Sequence, residues 1–316
     1  MKYRQPVLRL PLGRRRGSFR SETLLRIPTA ALACYTPQAR GTHMSAAELQ
    51  AHYSSGNLLE IIEAGLNRAG RDRTNVRAAD LGPVEEFHIG GRIATQHLFD
   101  AISVHKGQHC LDVGCGIGGA ARLAASVLGV KVTGVDLVEE FVAVGNTLSK
   151  WVGLHTQVQL QARDVAELAL DNVSFDAAWM LHVGMNIAEK RSLFDAVSAA
   201  LQAGGAFAVY DIMRVGDGEL DYPMPWASDA QQSFLESPTQ YRAYLESAGF
   251  EIVGEESRAE FALSFFAELR AKAADGPPPL GLHLLMGEAT PTKIKHLTEA
   301  ISTGVLAPVQ IIARKA

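Results

Sequence analysis

The chain has 316 residues, of which 47% are hydrophobic and 20% are charged, a balance typical of a globular protein. Three cysteines, Cys34, Cys110 and Cys115, are too few and too scattered for a disulfide framework or a zinc site, so a reducing compartment fits. No apolar run approaches the ~18 residues of a membrane span. We therefore expect a cytoplasmic protein with no membrane partner.

Charge is distributed unevenly along the chain. Residues 1–43 hold Lys2 and eight arginines against one acid, Glu22, for a net charge of +8. The whole chain carries −4, which leaves −12 on residues 44–316. An acidic body argues against a nucleic-acid partner, because phosphates require a basic face. Three interpretations of the basic head are open: a transit peptide for organelle import, a disordered tail, or translated sequence ahead of a start at Met44. In each case we expect the head to lie outside the fold.

Beyond the head, the pattern predicts N-terminal helices over 44–105 and then alternating strands and helices. Apolar residues between Leu49 and Leu66 recur at a spacing near 3.6, which predicts a helix. The later alternation implies βαβ units and a mostly parallel sheet. We predict seven strands, at about 109–113, 131–135, 157–161, 174–179, 205–211, 250–255 and 309–314. We predict core helices at about 119–128, 138–151, 187–202 and 238–248, with Gly204-Gly205 ending the third of them.

Two long connections interrupt this alternation. Residues 214–237 follow the fifth strand, and residues 256–305 separate the last two strands. The second connection holds helical segments near 259–273 and 291–302. Connections of this length in a compact domain are usually lids or binding elements. We expect both to form a helical lid over the active site.

The most informative stretch is residues 107–136. An apolar strand runs into a loop that contains Gly114, Gly116 and Gly118, and the next strand ends on Asp136. Glycine is needed where the backbone turns with positive φ or approaches a ligand closely. An acidic residue at the end of the following strand suits hydrogen bonding to a ribose diol. The stretch therefore predicts a site for an adenosine-containing cofactor.

Two cofactors compete for this loop. Gly114, Gly116 and Gly119 satisfy the GxGxxG pattern of a dinucleotide fold, and Asp136 lies 22 residues beyond the first glycine. Asp112 separates the two interpretations, because a carboxylate two residues before the first glycine is unfavourable beside the pyrophosphate of NAD. The sulfonium and ammonium groups of S-adenosylmethionine would be stabilised by that carboxylate. We favour S-adenosylmethionine over NAD, and a glycine-rich turn without a ligand is the third possibility.

The sequence resembles a known enzyme family at these residues. The acidic-x-Gly-x-Gly-x-Gly pattern that begins at Asp112 resembles motif I of the class I S-adenosylmethionine-dependent methyltransferases. The segment Phe87–Thr95, which reads FHIGGRIAT, is similar to the Gly-Gly segment of phosphoethanolamine N-methyltransferases. Sarcosine and dimethylglycine N-methyltransferases look comparable there, and the similarity spans roughly residues 48–255.

The resemblance implies one methyltransferase domain over residues 44–316, with its core at 106–255. Its fold class would be α/β: a Rossmann-like seven-stranded, mostly parallel sheet with helices on both faces. The last strand, at 309–314, would insert antiparallel beside the fifth.

In open α/β sheets the ligand lies at the carboxyl ends of the strands, so the residues after each strand should meet the cofactor. Asp136 would bind the ribose hydroxyls and Leu137 would face the adenine. By the resemblance, Asp164 accepts the adenine amino group and the Val165 amide meets the ring, although Asp164 is also placed to cap the next helix. Leu181 should lie against the sulfonium. The predicted cofactor set is Asp112, Gly114, Gly116, Gly118, Asp136, Leu137, Asp164, Val165 and Leu181.

Two residues are candidates for catalysis. Methyl transfer from a sulfonium is an in-line displacement that depends mainly on positioning, and an ammonium acceptor must first lose a proton to a base. His182 directly follows the fourth strand. By resemblance to phosphoethanolamine N-methyltransferases it pairs with a tyrosine of the N-terminal helix, here Tyr53. The alternative for His182 is a packing histidine that is bonded to backbone.

Four further residues are candidates for substrate binding. Tyr222 and Trp226 are able to hold a methylated ammonium by cation–π attraction, or else they pack the lid on the core. Arg92 and, less strongly, His88 are candidates for binding a carboxylate of the substrate or of the cofactor.

We expect a methyltransferase that acts on a small soluble acceptor, most of all an amine. Metal-free O- or S-methylation with His182 as base is the alternative, and a non-catalytic cofactor-binding protein is the alternative outside the enzyme class. We predict no metal site, because Leu181-His182 stands where metal-dependent catechol-type enzymes need an acid.

Overall fold

The computed structural model describes residue 53 and residues 56–168, 173–272, 276 and 278–316. The basic head and the predicted helix start at Leu49 lie outside these residues. One seven-stranded sheet forms the centre of the molecule. Its strands are β1 (His109–Val113), β2 (Lys131–Asp136), β3 (Val158–Ala162), β4 (Phe175–Leu181), β5 (Leu201–Arg214), β6 (Phe250–Ser257) and β7 (Leu306–Lys315).

The strand order is β3-β2-β1-β4-β5-β7-β6. The first five strands in sequence pair in parallel, and β7 runs antiparallel to both β5 and β6. In register, Ala208 of β5 faces Ile312 of β7, and Ala313 faces Ile252 of β6. The predicted fold class is therefore confirmed, including the antiparallel last strand beside the fifth. The chain reverses its strand order between β1 and β4, which places a ligand crevice at their carboxyl ends.

Eleven α-helices are assigned within the described residues. They are α1 (Leu58–Arg68), α2 (Ala78–Glu85), α3 (Gly91–Ile102), α4 (Gly119–Leu128), α5 (Glu139–Trp151), α6 (Val165–Leu168), α7 (Lys190–Ala200), α8 (Pro238–Ser247), α9 (Ala259–Lys272), α10 (His283–Met286) and α11 (Thr290–Ser302). Within the same ranges, no helix combines the length and the apolar character that crossing a bilayer requires.

Helices cover both faces of the sheet because neighbouring strand residues point to opposite sides. Cys110 packs with Leu98 and Phe99 of α3 on one face. Leu111, the next residue of β1, packs with Phe194 of α7 and Leu245 of α8 on the other. The inner strands read as continuous apolar runs, as expected for parallel strands that are buried on both faces.

The largest departure from the predicted elements lies between α7 and β5. Helix α7 ends at Ala200, and Leu201 is already extended and paired with Phe175. Gly204 does take a positive φ of 75°, but it lies inside β5, where four residues of β5 stand opposite one residue of β4 and interrupt the register. The expectation that Gly204-Gly205 caps the helix is therefore wrong. Its positive φ serves a bulge in the strand.

The two long connections pack together as a separate hydrophobic cluster. Met224 and Trp226 of the first connection lie against Phe266 of α9 and Leu297 of α11. The segment just before α10 reaches the other side of the domain, where Leu280 packs on α1. The predicted helices near 259–273 and 291–302 are thus present as α9 and α11.

Candidate cofactor and active site

A cavity of about 470 Å³ opens at the carboxyl ends of β1, β2, β3 and β4. The segment that leads into α3, the turn after β4 and Leu285 of the second connection complete its walls. Eleven of the predicted site residues line it: Tyr53, His88, Asp112, Gly114, Gly116, Asp136, Leu137, Asp164, Val165, Leu181 and His182. The remaining four, Gly118, Arg92, Tyr222 and Trp226, do not.

The glycine loop after β1 requires glycine for two different reasons. Gly114 and Gly116 take positive φ values of 68° and 52°, and a Cβ on Gly114 would lie 2.3 Å from a methyl carbon of Val183. A Cβ on Gly116 would meet only open space, on the wall where a ligand would approach the backbone. Gly118 directly precedes α4 as its N-cap residue and takes the left-handed conformation. A Cβ on Gly118 would lie 2.8 Å from Leu160. Gly118 therefore serves the packing of the loop.

Asp136 ends β2 and holds the glycine loop in place. Its Oδ2 accepts the backbone N–H of Gly116 at 2.8 Å, and its Oδ1 accepts that of Val138 at 2.9 Å. Burial raises the pKa of this carboxyl. Each carboxylate oxygen has further acceptor capacity, so the group is able to take two ribose hydroxyls while it keeps the loop closed.

Asp112 lies in β1 directly beneath the glycine loop. Its side chain is only 2% exposed, and among the described residues its Oδ2 has no hydrogen-bond partner. Burial raises the pKa of Asp112 to about 7. A buried carboxylate oxygen without a partner is costly, and a cationic ligand would offset that cost. This residue therefore fits a cofactor that carries ammonium and sulfonium groups.

The adenine end of the predicted site lies after β3. Asp164 is exposed, and its Oδ1 accepts the N–H of Ala166, so it does cap α6. Val165 is buried beside it. Leu137 and Leu181 line the cavity from the ends of β2 and β4. Asp164 lines the cavity, and a carboxylate that accepts one N–H has further acceptor capacity, so the capping role and the adenine role are compatible.

His182 has an unusual backbone. Its φ is +54°, and its N–H donates to the carbonyl of Tyr210 at 2.7 Å. A non-glycine residue in the left-handed region is uncommon, and such strain is concentrated at functional sites. Its Nε2 is buried and lacks a hydrogen-bond partner among the described residues. Burial, with a smaller contribution from His88, keeps the pKa of His182 well below its usual range, so the ring is neutral at pH 7.

Tyr53 and His88 lie on the same side of the cavity as His182. The hydroxyl of Tyr53 donates to Oδ1 of Asn186 at 3.4 Å, and its ring packs edge-on against Phe87. Burial raises the pKa of the Tyr53 hydroxyl. The rings of His88 and His182 contact each other with centroids 5.9 Å apart. Burial lowers the pKa of His88 to about 4, so it is a neutral, hydrogen-bonding residue here rather than an anion-binding cation.

Three candidate substrate residues lie away from the cavity. Trp226 is 1% exposed, and its indole N–H donates to Oγ of Ser233 at 3.0 Å. Tyr222 packs against the same cluster between the long connections. Arg92 lies over Gly82, with one guanidinium nitrogen 3.3 Å from the carbonyl of Ala78.

A comparison with known families agrees with this geometry. A family model described as a methyltransferase domain matches residues 111–209. The match begins in β1, includes the glycine loop and Asp136, and ends in β5. This chain carries a class I S-adenosylmethionine-dependent methyltransferase domain. S-adenosylmethionine is the cofactor of that domain, and the partnerless oxygen of Asp112 fits it.

The names of the relatives of the methyltransferase domain specify different methylated atoms: carbon in some and oxygen in others. Sterol 4-C-methyltransferase strm-1 of Caenorhabditis elegans is 28% identical over 125 residues, which cover 40% of this chain and 37% of that one. An O-methyltransferase of Pyrenophora dematioidea is 24% identical over 173 residues, 54% of this chain and 64% of the relative. This chain thus spans 37% and 64% of the length of these two relatives.

Solved structures show the same fold. Phosphoethanolamine N-methyltransferase 2 of Haemonchus contortus, in complex with phosphomonomethylethanolamine and S-adenosylhomocysteine, matches with a TM-score of 0.63 at 22% identity. The match covers 80% of this chain and 60% of that one.

The methyltransferase site also contains residues that the sequence analysis does not single out. Glu85 and Glu86 are 6% and 3% exposed and line the cavity. Glu85 is held by Arg122, whose Nη2 and Nε lie 2.7 and 3.0 Å from its Oε2. Arg122 is fully buried, and it also donates to the carbonyl of Ile117 in the glycine loop. The segment before α3 is thereby fixed on the glycine loop. The only signal for these two residues in the sequence is that Glu85 and Glu86 are adjacent acids before an apolar segment. Such a pair usually lies on the solvent-exposed surface, so it does not indicate a site.

Proposed function

We propose that the methyltransferase domain methylates a nitrogen atom of a small-molecule amine, with His182 as the general base. The observation that carries this proposal is the neutral His182 imidazole at the end of β4, which lines the cavity with its Nε2 unpaired. Bound S-adenosylmethionine supplies an electrophilic methyl group. A protonated amine has no lone pair for attack, so a neutral imidazole next to it would accept the proton and release the nucleophile.

Tyr53 supports the same arrangement from the same side of the cavity. Its hydroxyl is tied to Asn186, four residues beyond His182 in the turn that follows β4. We infer that this bond orients the turn and closes the acceptor side of the cavity. Positioning of this kind dominates an in-line displacement, because the nucleophile must lie about 3 Å from the methyl carbon.

A screen with S-adenosylmethionine labelled on its methyl group tests the proposal. The purified full chain is incubated with benzylamine, sarcosine, dimethylglycine, phosphoethanolamine, a catechol and a simple thiol, and products are identified by mass spectrometry. We expect label on nitrogen. Label on oxygen, sulfur or carbon alone would contradict the amine assignment.

O-methylation is the second candidate, and two observations favour it. His182 would deprotonate a phenol as well as an ammonium, and the O-methyltransferase relative aligns with 54% of this chain. The catechol arm of the screen separates the two candidates, because only the phenolic oxygen is available there.

A further inference from the structure

The charges of the cavity wall are strongly one-sided. Six acidic residues line the cavity, and among its described lining residues Arg163 is the only arginine or lysine. Arg163 follows β3 at the adenine end, 3.5 Å from Glu167, and β2 and β1 lie between β3 and β4 in the sheet. Of the acids, Glu85 is neutralised by Arg122. Among the described lining residues, the wall around His182 therefore offers carboxylates and neutral rings, and it offers no cation to an anionic acceptor.

Glu86 is a carboxylate on that part of the wall, and Glu189, directly before α7, is another lining acid. Oε2 of Glu86 accepts the hydroxyl of Thr95 at 2.9 Å and lies 3.6 Å from Nε2 of His88. His88 in turn contacts the His182 ring. The other oxygen of Glu86, Oε1, is buried and has no hydrogen-bond partner among the described residues. A rigidly held, 97%-buried carboxylate with one unpaired oxygen is the expected form of a cation-binding group before its ligand arrives.

Asp112 and Glu86 are assigned to different ligands by their positions. Asp112 belongs to β1 under the glycine loop, where the cofactor's methionine part is expected. Glu86 belongs to the segment before α3 and is connected through His88 to His182. Besides burial, Glu86 is close enough to contribute to the raised pKa of Asp112, and two cationic groups, one on each ligand, would offset that repulsion.

We infer that Glu86 binds the protonated amine of the methyl acceptor, and that it selects acceptors that carry an ammonium and no phosphate or carboxylate. This inference rests on the proposed amine methylation. During transfer, positive charge moves from the sulfonium to the acceptor nitrogen, and a fixed carboxylate beside that nitrogen stabilises the developing charge. A phenolate at the same place would be repelled.

The burial of Glu86 agrees with this role. Burial raises the pKa of Glu86, and the neighbouring Thr95, Arg92 and Arg122 counteract the shift only in part. An ammonium at hydrogen-bond distance would favour the ionised form. Binding of the amine and ionisation of Glu86 would therefore reinforce each other.

A binding experiment tests the assignment without relying on turnover. Benzylamine and benzyl alcohol have the same size and reach, but only the amine is a cation at pH 7. Each is titrated by calorimetry into the full chain saturated with S-adenosylhomocysteine. We expect the wild type to bind benzylamine roughly ten- to hundredfold more tightly than benzyl alcohol, the range for a hydrogen bond between charged partners. Glu86→Gln keeps an acceptor for Thr95, and it should abolish that preference.

A matched variant and two further measurements exclude a non-specific charge effect, a loss of cofactor binding and a loss of folding as explanations. Glu268→Gln makes the same substitution on the exposed surface of α9 and should leave the preference unchanged. Affinity for S-adenosylhomocysteine and the melting temperature are measured for every variant. If Glu86→Gln keeps the preference, or weakens cofactor binding by the same factor, the assignment is overturned. No preference in the wild type also overturns it. Label found only on oxygen in the acceptor screen would instead refute the amine proposal while the Glu86 measurement stands on its own.

Discussion

The two sides of the cavity are built from different kinds of structure. The cofactor side consists of backbone turns and carboxylates at the ends of β1, β2 and β3, all within one continuous stretch of chain. The side that we assign to the acceptor is assembled from distant segments: Tyr53, residues 85–88, the turn after β4 and Leu285. The cofactor side is therefore determined by local sequence, and the acceptor side by tertiary contacts. If the two sides have separate roles, variants on the cofactor side should change cofactor affinity and variants on the acceptor side should change turnover.

The largest effect is expected for His182→Asn. Asparagine tolerates the left-handed backbone better than alanine, so this variant removes the imidazole while the φ of 54° is retained. We expect kcat to fall by roughly 10²–10⁴ with unchanged affinity for S-adenosylmethionine, because only the base is lost. Steady-state kinetics and calorimetry measure the two quantities separately. Wild-type turnover in this variant would refute the mechanism.

The reciprocal change on the cofactor side is Asp136→Ala. The variant loses the ribose acceptors and also releases the N–H groups of Gly116 and Val138. We expect the dissociation constant for S-adenosylmethionine to rise on the order of a hundredfold, since hydrogen bonds to a charged group contribute ~1.5–3 kcal/mol each. Asp136→Asn keeps the shape and should give a smaller loss. If neither variant alters binding in calorimetry, the ribose is held elsewhere.

Asp112 gives the cofactor side a pH dependence. A cationic cofactor pairs with the ionised carboxylate, and burial places the pKa of Asp112 at about 7 in the ligand-free protein. Affinity should therefore fall as the pH drops through that value, by roughly tenfold between pH 8 and pH 6. The same shift means that the ligand-free fold loses stability as the pH rises from about 4 to about 7, because the folded state retains a proton that the unfolded chain releases.

Other carboxyls near the cavity also have raised pKa values, so a matched variant is needed to assign this effect. Burial raises the pKa of Glu86 and that of Asp136. Asp112→Asn removes one titration and leaves the others in place. Its affinity for S-adenosylmethionine, measured by calorimetry across the same range, should be lower at pH 8 and nearly constant with pH. A variant with the same slope as the wild type would assign the titration to another group.

The sequence predicts which residues of the cofactor side line the cavity, because its signals are short-range. The glycine positions follow from backbone geometry, and Asp136 follows from where β2 ends. Burial of Glu86 and the contact between Tyr53 and Asn186 could not be predicted, because they depend on how the segment before α3 and the turn after β4 meet in space. Gly204 shows the limit within a single element: the sequence predicts a helix end there, but a bulge in a strand requires the same residue type with the same positive φ.

The smallest effect on the reaction is expected for Trp226→Phe. This variant tests whether the connection that contains Trp226 takes part in binding the acceptor. The indole is buried between the long connections and donates to Ser233, so its loss should lower the free energy of unfolding by about 1–2 kcal/mol. Because Trp226 does not line the cavity, the KM for the acceptor found in the screen should stay within about twofold of the wild-type value. Thermal melting and steady-state kinetics on the same preparation give both numbers. A large rise in KM without a loss of stability would mean that the connection containing Trp226 closes over the acceptor during turnover, as the sequence pattern of a lid predicts.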